Sequence, residues 1–175
     1  LGARDAVQPG SVDRIEQYYS FSDLEAQLQT LLGSVQYDVV IHAAAVSDFS
    51  VSGVEAGEGG SVNTHGGKLS SGSDLLLRLT RNPKLLYSLK DWSCNPDLKV
   101  IGFKLTDTED PQQRLAAIRK QLDNSGVDAV VHNDLSEISE TGHSFRLHRD
   151  GKKPVECENS GALAITINKL LESVS

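Results

Sequence analysis

The chain has 175 residues, with 24 acidic against 17 basic side chains and a formal charge of -7. At ~150 residues per domain this length gives one domain with enough chain to bury a core, and 38% apolar residues exclude a disordered chain. The acidic balance excludes a general nucleic-acid coat, because phosphate-tracking proteins present net basic faces.

No uninterrupted apolar run approaches the ~18 residues of a membrane span. The start, LGARD, lacks the basic end and apolar stretch of a signal peptide, and the sequence holds no Met. The true N-terminus is therefore expected upstream of Leu1. Cys94 and Cys157 stand far apart, without the short spacing of a zinc knuckle or redox pair. They read as free thiols of a reducing cytoplasm.

Residues 11–19 hold Val12, Ile15, Tyr18 and Tyr19 and predict a short strand. Ser22 followed by Glu25 has the pattern of a capping box, and Leu24, Leu28, Leu31 and Leu32 then recur at helical spacing up to Gly33. Residues 37–45 (YDVVIHAAA) form a near-continuous apolar run, as in a strand buried on both faces. Residues 50–67 are rich in Gly, Ser, Val and Glu without helical or strand period, and predict a long mobile loop over an active site. Residues 74–79 predict a strand. Asn82-Pro83 predicts a helix to about Trp92 that buries Leu85, Leu86 and Leu89.

Residues 98–105 (LKVIGFKL) predict a second central strand, and residues 127–132 (VDAVVH) a third. Between them Asp110-Pro111 opens a helix with Leu115, Ile118 and Leu122 on one stripe and Gly126 as its stop. Phe145 and Leu147 then alternate with polar residues, Asp150-Gly151 marks a hairpin turn, and residues 154–157 return. Asn159 or Ser160 caps a last helix through Leu163, Ile167, Leu170 and Leu171. This order gives an α/β fold: a Rossmann-like, doubly wound, mostly parallel sheet with an antiparallel C-terminal hairpin. Ligands of such sheets sit at the C-terminal ends of strands, so the residues after Ala45, Leu105 and His132 carry the interest.

The three alanines 43–45 let a ligand approach the backbone closely, or they pack tightly against a helix. Asp48 can hold a metal ion or a ribose hydroxyl, or cap a turn. Lys68, in GGKLSS, stands where a mobile loop could close it over a phosphate, though the Walker A spacing is missing and loop lysines are commonly just solvated. Phe103 can stack on a base and Lys104 can meet a phosphate; the plain alternative is a core Phe and a snorkelling Lys. Asn133 and Asp134 can position a ligand or start an Asx-turn. Arg119 and Lys120 can supply cations or lie solvated. The five His have no metal-ligand spacing.

Five segments in order resemble the phosphopantothenate–cysteine ligase family of coenzyme A biosynthesis: AAAVSDF (43–49), GGKLSS (66–71), LLLRLTRNPKLL (75–86), IGFKLT (101–106) and DAVVHNDLS (128–136). The resemblance runs from about Val12 to Leu171, and the KLSS and GFKL forms are most similar to the free-standing bacterial type. It implies that a phosphopantothenate carboxylate attacks the α-phosphate of CTP (or ATP), after which the cysteine amine attacks the acyl-nucleotidylate. It further implies Mg2+, a cytoplasmic homodimer, and small-molecule substrates without a nucleic-acid or membrane partner. By motif, Lys68 and Asn133 are carried over as catalytic. Ala44, Ala45, Asp48, Phe103, Lys120 and Asp134 are carried over as nucleotide-binding, with Asp48 also toward the metal.

The sequence departs from the family in two places. Of two lysines one turn apart on the helix before the N-D strand, Lys120 lies near the first, while Asn124 or Ser125 takes the place of the second. The family's opening strand, G-G-T loop and downstream Asn have no counterpart after Leu1. The expectation is one domain over residues 1–175 whose first βα unit lies upstream. The run VVIHAAA is also similar to extended short-chain dehydrogenases, which makes an NAD(P)-dependent dehydrogenase or epimerase the alternative. No G-x-x-G-x-x-G precedes that run, and Tyr87 with Lys90 is one residue short of their Tyr-x-x-x-Lys pair. An inactive nucleotide-binding fragment is the third reading.

Overall fold

A computed structural model describes residues 1–7, 9–56, 61–62, 74–139 and 142–172. Of the strand expected over residues 11–19, only β2 (Gln17–Tyr18) pairs, in parallel with β1 (Gly2–Ala3). Helix α1 (Phe21–Ser34) is capped by Ser20 and not by Ser22. The Ser20 hydroxyl accepts from the Asp23 N–H, and the Asp23 carboxylate accepts from the Tyr19 N–H. The cap thus lies two residues early, with Asp23 in the place of Glu and accepting from the N–H one residue before the cap. Leu24, Leu28 and Leu32 are the buried stripe of α1.

β3 (Val39–His42) is the first strand of the main sheet. Residues 50–56, expected in a loop, instead belong to β4 (Phe49–Ala56). It pairs antiparallel with β5 (Ser61–Val62) and β6 (Leu75–Arg81) in a separate three-stranded ribbon. Val51, Val54 and the leucines of β6 give this ribbon its pairing tendency, which the glycines and serines of the segment concealed. The remainder of the expected loop lies outside the described residues.

The helix expected from Asn82 to Trp92 is cut to a 3-10 turn, Leu85–Tyr87, and a four-residue α2 (Leu89–Trp92). The cause is local. The Asn82 amide nitrogen donates to the Ser47 carbonyl, and its amide oxygen accepts from the Ser50 hydroxyl. Asn82 is spent joining two loops and caps nothing.

β7 (Lys99–Thr106), α3 (Pro111–Ser125) and β8 (Ala129–Asp134) follow as expected. Asp110 accepts from the Gln112 N–H at the start of α3, and Gly126 ends it in the left-handed region with φ 60°. A 3-10 turn (Leu135–Glu137) leads to the small pair β9 (Ile138–Ser139) and β10 (Gly142–His143). The hairpin β11 (Phe145–His148) and β12 (Val155–Cys157) turns through Gly151, at φ 61°. Helix α4 (Ser160–Glu172) closes the chain, with the Asn159 side chain accepting from the Ala162 N–H.

The main sheet has the order β12-β11-β8-β7-β3, parallel across β3, β7 and β8 and antiparallel across the hairpin. Alternation along the strands makes two cores. Val100 and Val130 face α1, α2 and α3, where Leu28, Leu89 and Ile118 meet them. Ile101 and Val131 face the other way, toward Leu147, Leu163 and Ile167. Burial on both faces explains the unbroken apolar runs of β7 and β8. Each such buried aliphatic contributes about 1.5–3 kcal/mol, and together they fix the strand ends that carry the site.

Candidate active site

An open cleft of about 940 Å³ lies at the C-terminal ends of β3, β7 and β8, where a doubly wound sheet places its ligands. Its first wall is the segment after β3, including Ala44, Ala45 and Asp48. The Asn82 N–H donates to the Asp48 carbonyl at 2.9 Å, and the Asn82 side chain holds Ser47, so this wall is tied to the start of the opposite one. The Asp48 carboxylate pairs with the Lys84 ammonium. That hydrogen bond and charge hold the Asp48 carboxyl below its usual range. His42 also lines the cleft, and burial pushes its imidazole toward the neutral form.

The floor is built around Gly102. A Cβ at that position would stand 2.6 Å from the Gln121 amide nitrogen and 3.0 Å from a Leu86 methyl. Absence of a side chain there lets α3 and the 3-10 turn close on β7. Phe103, Lys104 and Lys120 line the same cleft. Three lysines, Lys84, Lys104 and Lys120, therefore ring a space bounded by small residues and one aromatic side chain. Such a site suits a phosphorylated ligand with a planar group.

At the far end Asn133, 8% exposed, contacts His143. Their side-chain nitrogens lie 2.9 Å apart, and the His143 ring stands 4.3 Å from the Phe145 ring with the planes tilted by 30°. All three residues line the cleft.

Asp134 is placed differently from the expectation. It points to the opposite face of β8, is 0% exposed, and is not part of the cleft wall. Its carboxylate accepts from the Ser136 hydroxyl, the Thr106 hydroxyl and the Ser136 and Thr108 N–H groups, and Arg114 lies 3.1 Å away. These donors, Ser136 first and Thr106 second, hold the carboxyl far below its usual range. From Asp134 a chain of alternating charge runs through Arg114, Glu137 and Arg146 to Glu156. It joins α3, the end of β8 and both hairpin strands. Strand alternation is the reason: when Asn133 faces the cleft, its neighbour must face α3.

Of the residues expected at the site, Ala44, Ala45, Asp48, Phe103, Lys120 and Asn133 meet in one cleft. Lys68 lies outside the described residues. Sequence reasoning passed over Lys84, His42, Gln121 and His143. Lys84 reads as an ordinary helix residue, and no spacing in the sequence marks His143, because a short turn brings it back beside Asn133. Among the described residues no group of three His, Cys, Asp or Glu side chains could hold a metal ion.

A family model described as the DNA/pantothenate metabolism flavoprotein C-terminal domain matches residues 7–170. The coenzyme A biosynthesis bifunctional protein CoaBC of Thermococcus kodakarensis is 30% identical over 146 residues, which are 83% of this chain and 33% of that protein. The chain thus spans about a third of that relative. The DNA/pantothenate metabolism flavoprotein of Streptococcus pneumoniae superposes with a TM-score of 0.84 at 23% identity, covering 99% of this chain and 79% of that one. A Cab2 mutant in complex with phosphopantothenate-cysteine has a TM-score of 0.53 at 19% identity, covering 87% of this chain and 51% of that one. With a family model spanning nearly its whole length, the chain belongs to the DNA/pantothenate metabolism flavoprotein C-terminal domain family.

Proposed function

We propose that this chain carries a phosphopantothenate–cysteine ligase, joining 4'-phosphopantothenate to L-cysteine with CTP, or with ATP in its place, in coenzyme A biosynthesis. The observation that carries the reading is the lysine-ringed cleft with small residues on one wall and Asn133 at its end, in a chain of this family. The relative's role in coenzyme A biosynthesis and the phosphopantothenate-cysteine bound to a structural neighbour agree with it.

In this reading the phosphopantothenate carboxylate oxygen bonds to the α-phosphorus and pyrophosphate leaves. The cysteine nitrogen then bonds to the acyl carbon, sheds a proton, and the nucleoside monophosphate leaves with the electron pair. Ala44 and Ala45 let the nucleotide approach the backbone, and Phe103 offers an aromatic face on its side of the cleft. Lys104 and Lys120 neutralise phosphate oxygens, and Lys68 acts at the α-phosphate. Asn133 holds the reacting acyl group. Mg2+ is bound by one or two carboxylates plus substrate phosphates in such sites. Asp48 would supply that share once Lys84 releases its carboxylate, and the ion would compensate the triphosphate charge. Asp134 acts from behind, as an anchor of the strand that carries Asn133.

The ligase is proposed to work in the cytoplasm as a homodimer. The β4–β6 ribbon supports the second copy, since Val51, Leu76, Leu77 and Leu79 are each more than half exposed there. The test uses the full-length protein. Pyrophosphate release should require nucleotide triphosphate and phosphopantothenate together, and the amide product should further require cysteine. Pyrophosphate release without phosphopantothenate, or thermal stabilisation by NAD and by neither nucleotide, would overturn the ligase reading.

A further inference from the structure

His143 and Asn133 are ten residues apart in sequence and meet only because the 3-10 turn and the β9–β10 pair reverse the chain. The Asn133 Nδ2 lies 2.9 Å from the His143 Nε2. An amide nitrogen has only protons to offer, so Nε2 must accept, and the imidazole proton then sits on Nδ1. An amide bound through Nδ2 turns its Oδ1 away from the ring. If Nε2 carried the proton, the same contact would require the amide turned over, with Nδ2 facing outward. The tautomer of His143 therefore selects which end of the Asn133 carboxamide the cleft presents.

His143 is itself exposed, yet it is held from two sides, by Asn133 at Nε2 and by the Phe145 ring beneath it. Asn133 is nearly buried and its backbone is fixed in register between Leu105 of β7 and the turn after β8. The remaining freedom of Asn133 is the turn of its amide, and His143 removes it.

We propose that His143 is a positioning residue that locks the Asn133 amide with Oδ1 toward the cleft, so that the site offers an acceptor to an N–H or O–H group of the bound substrate. The proposal rests on the reading of Asn133 as a residue that touches substrate.

The test compares His143→Phe with His143→Gln in the full-length protein. Phe keeps the stacking on Phe145 and removes the acceptor, whereas Gln restores an acceptor through Oε1. His143→Phe should lower kcat about ten-fold, the worth of one hydrogen bond, with a smaller change in KM for nucleotide, and His143→Gln should recover to within about three-fold. Equal rates for wild type and His143→Phe, or equal losses in both variants with unchanged Tm, would overturn it. A second arm needs no activity: the imidazole nitrogen NMR shifts of the ligand-free protein at neutral pH should put the proton on Nδ1, and a proton on Nε2 would refute the lock. A wild type without ligase activity but with the Nδ1 tautomer would sink the ligase reading and leave the lock standing.

Discussion

Thr106 and Asp134 are register partners at the C-terminal ends of β7 and β8, and the Thr106 hydroxyl donates to the Asp134 carboxylate. A hydroxyl has a single proton. The other contact of that oxygen, with His132 Nε2 at 2.9 Å, must therefore be donated by the imidazole. His132, Thr106 and Asp134 form one directed relay of hydrogen bonds behind the cleft wall, and Arg114 closes it against α3.

Arg114 is the common partner of this cluster, bonding the Thr108 carbonyl, Glu137 and Ser136 as well as facing Asp134. Arg114→Ala leaves the buried Asp134 carboxylate without its cation, while Glu137 keeps Arg146. It should cost about 3 kcal/mol, since breaking a part-buried pair strands the remaining charge. For a chain of this size that is a fall in Tm of roughly 6–12 °C. Asp134→Asn should also lower Tm, because an amide cannot accept from all of these donors, while nucleotide affinity changes less. Calorimetric unfolding beside nucleotide titration checks both. A normal Tm with lost nucleotide binding in Asp134→Asn would return Asp134 to the ligand.

Burial lowers the pKa of His132, His148 and His42 below the ordinary 6.5. His132 Nδ1 and His148 Nε2 are buried and have no partner, so a proton gained there meets no acceptor. Arg146, facing both rings, opposes the charge further, whereas Glu137 and Asp134 near His132, and Glu156 near His148, favour it. With the folded pKa depressed, the unfolded chain takes the proton first as pH falls. Stability is then full above 6.5 and is lost between 6.5 and each folded pKa. Urea midpoints should drop between about pH 7.5 and about pH 5.5, and His132→Gln should flatten the drop. Equal wild-type midpoints at the two pH values would refute this.

At Gly102 the prediction is geometric. Gly102→Ala drives a methyl into Gln121 and Leu86, and overpacking of this kind costs about 1–3 kcal/mol. Gln121 is the softer neighbour, since it ends in a flexible amide that donates to the Phe103 carbonyl at 3.3 Å. The variant should fold, and it should bind nucleotide several-fold more weakly because Phe103 shifts. Adding Gln121→Ala should restore part of the affinity, as read by calorimetric titration. Undiminished binding in Gly102→Ala would show that the floor does not touch the nucleotide.

The parts of this fold written in local chemistry were legible. Asp110-Pro111 and Gly126 mark α3, Asp150-Gly151 marks the hairpin, and the runs around Val100 and Val130 mark strands buried on both faces. The parts settled by distant contacts were not. Asn82 reads as a cap but bonds Ser47 and Ser50 across the cleft mouth. Residues 50–56 read as a loop because a strand is stabilised by the partner it pairs with, here β6. Within the site, the N-D pair was legible as two polar residues at a strand end. Their division into one residue facing the cleft and one facing α3 follows only once β8 is in register with β7. The charge chain from Asp134 to Glu156 joins residues 22 positions apart and has no periodic signature.

Lys68→Ala should slow pyrophosphate release by at least about 100-fold if its ammonium stabilises charge at the α-phosphate, while nucleotide affinity falls far less. Single-turnover release of pyrophosphate, measured with phosphopantothenate in excess, reads this step alone. A rate like that of wild type would remove Lys68 from the chemistry.

The ribbon gives the last prediction. β6 pairs with β4 along residues 75–81, and its leucines point alternately to the two sides. Leu76 on one side and Leu77 and Leu79 on the other are each more than half exposed, so among the described residues neither side is covered. Exposed apolar patches of this kind mark association surfaces. Arg78 of the same strand pairs with Glu55 of β4, which holds the two strands in register without covering the leucines. The ribbon also begins at Phe49, directly after Asp48 of the cleft, so a second copy packed here would lie against the cleft wall. Leu77→Lys with Leu79→Lys places two charges on one side of the ribbon and leaves the main sheet untouched. Light scattering should show a dimer for the wild type and a monomer for the double variant, with the helical circular dichroism unchanged. A wild type that stays monomeric at high micromolar concentration would refute the second copy, and a variant that remains dimeric would move the interface elsewhere.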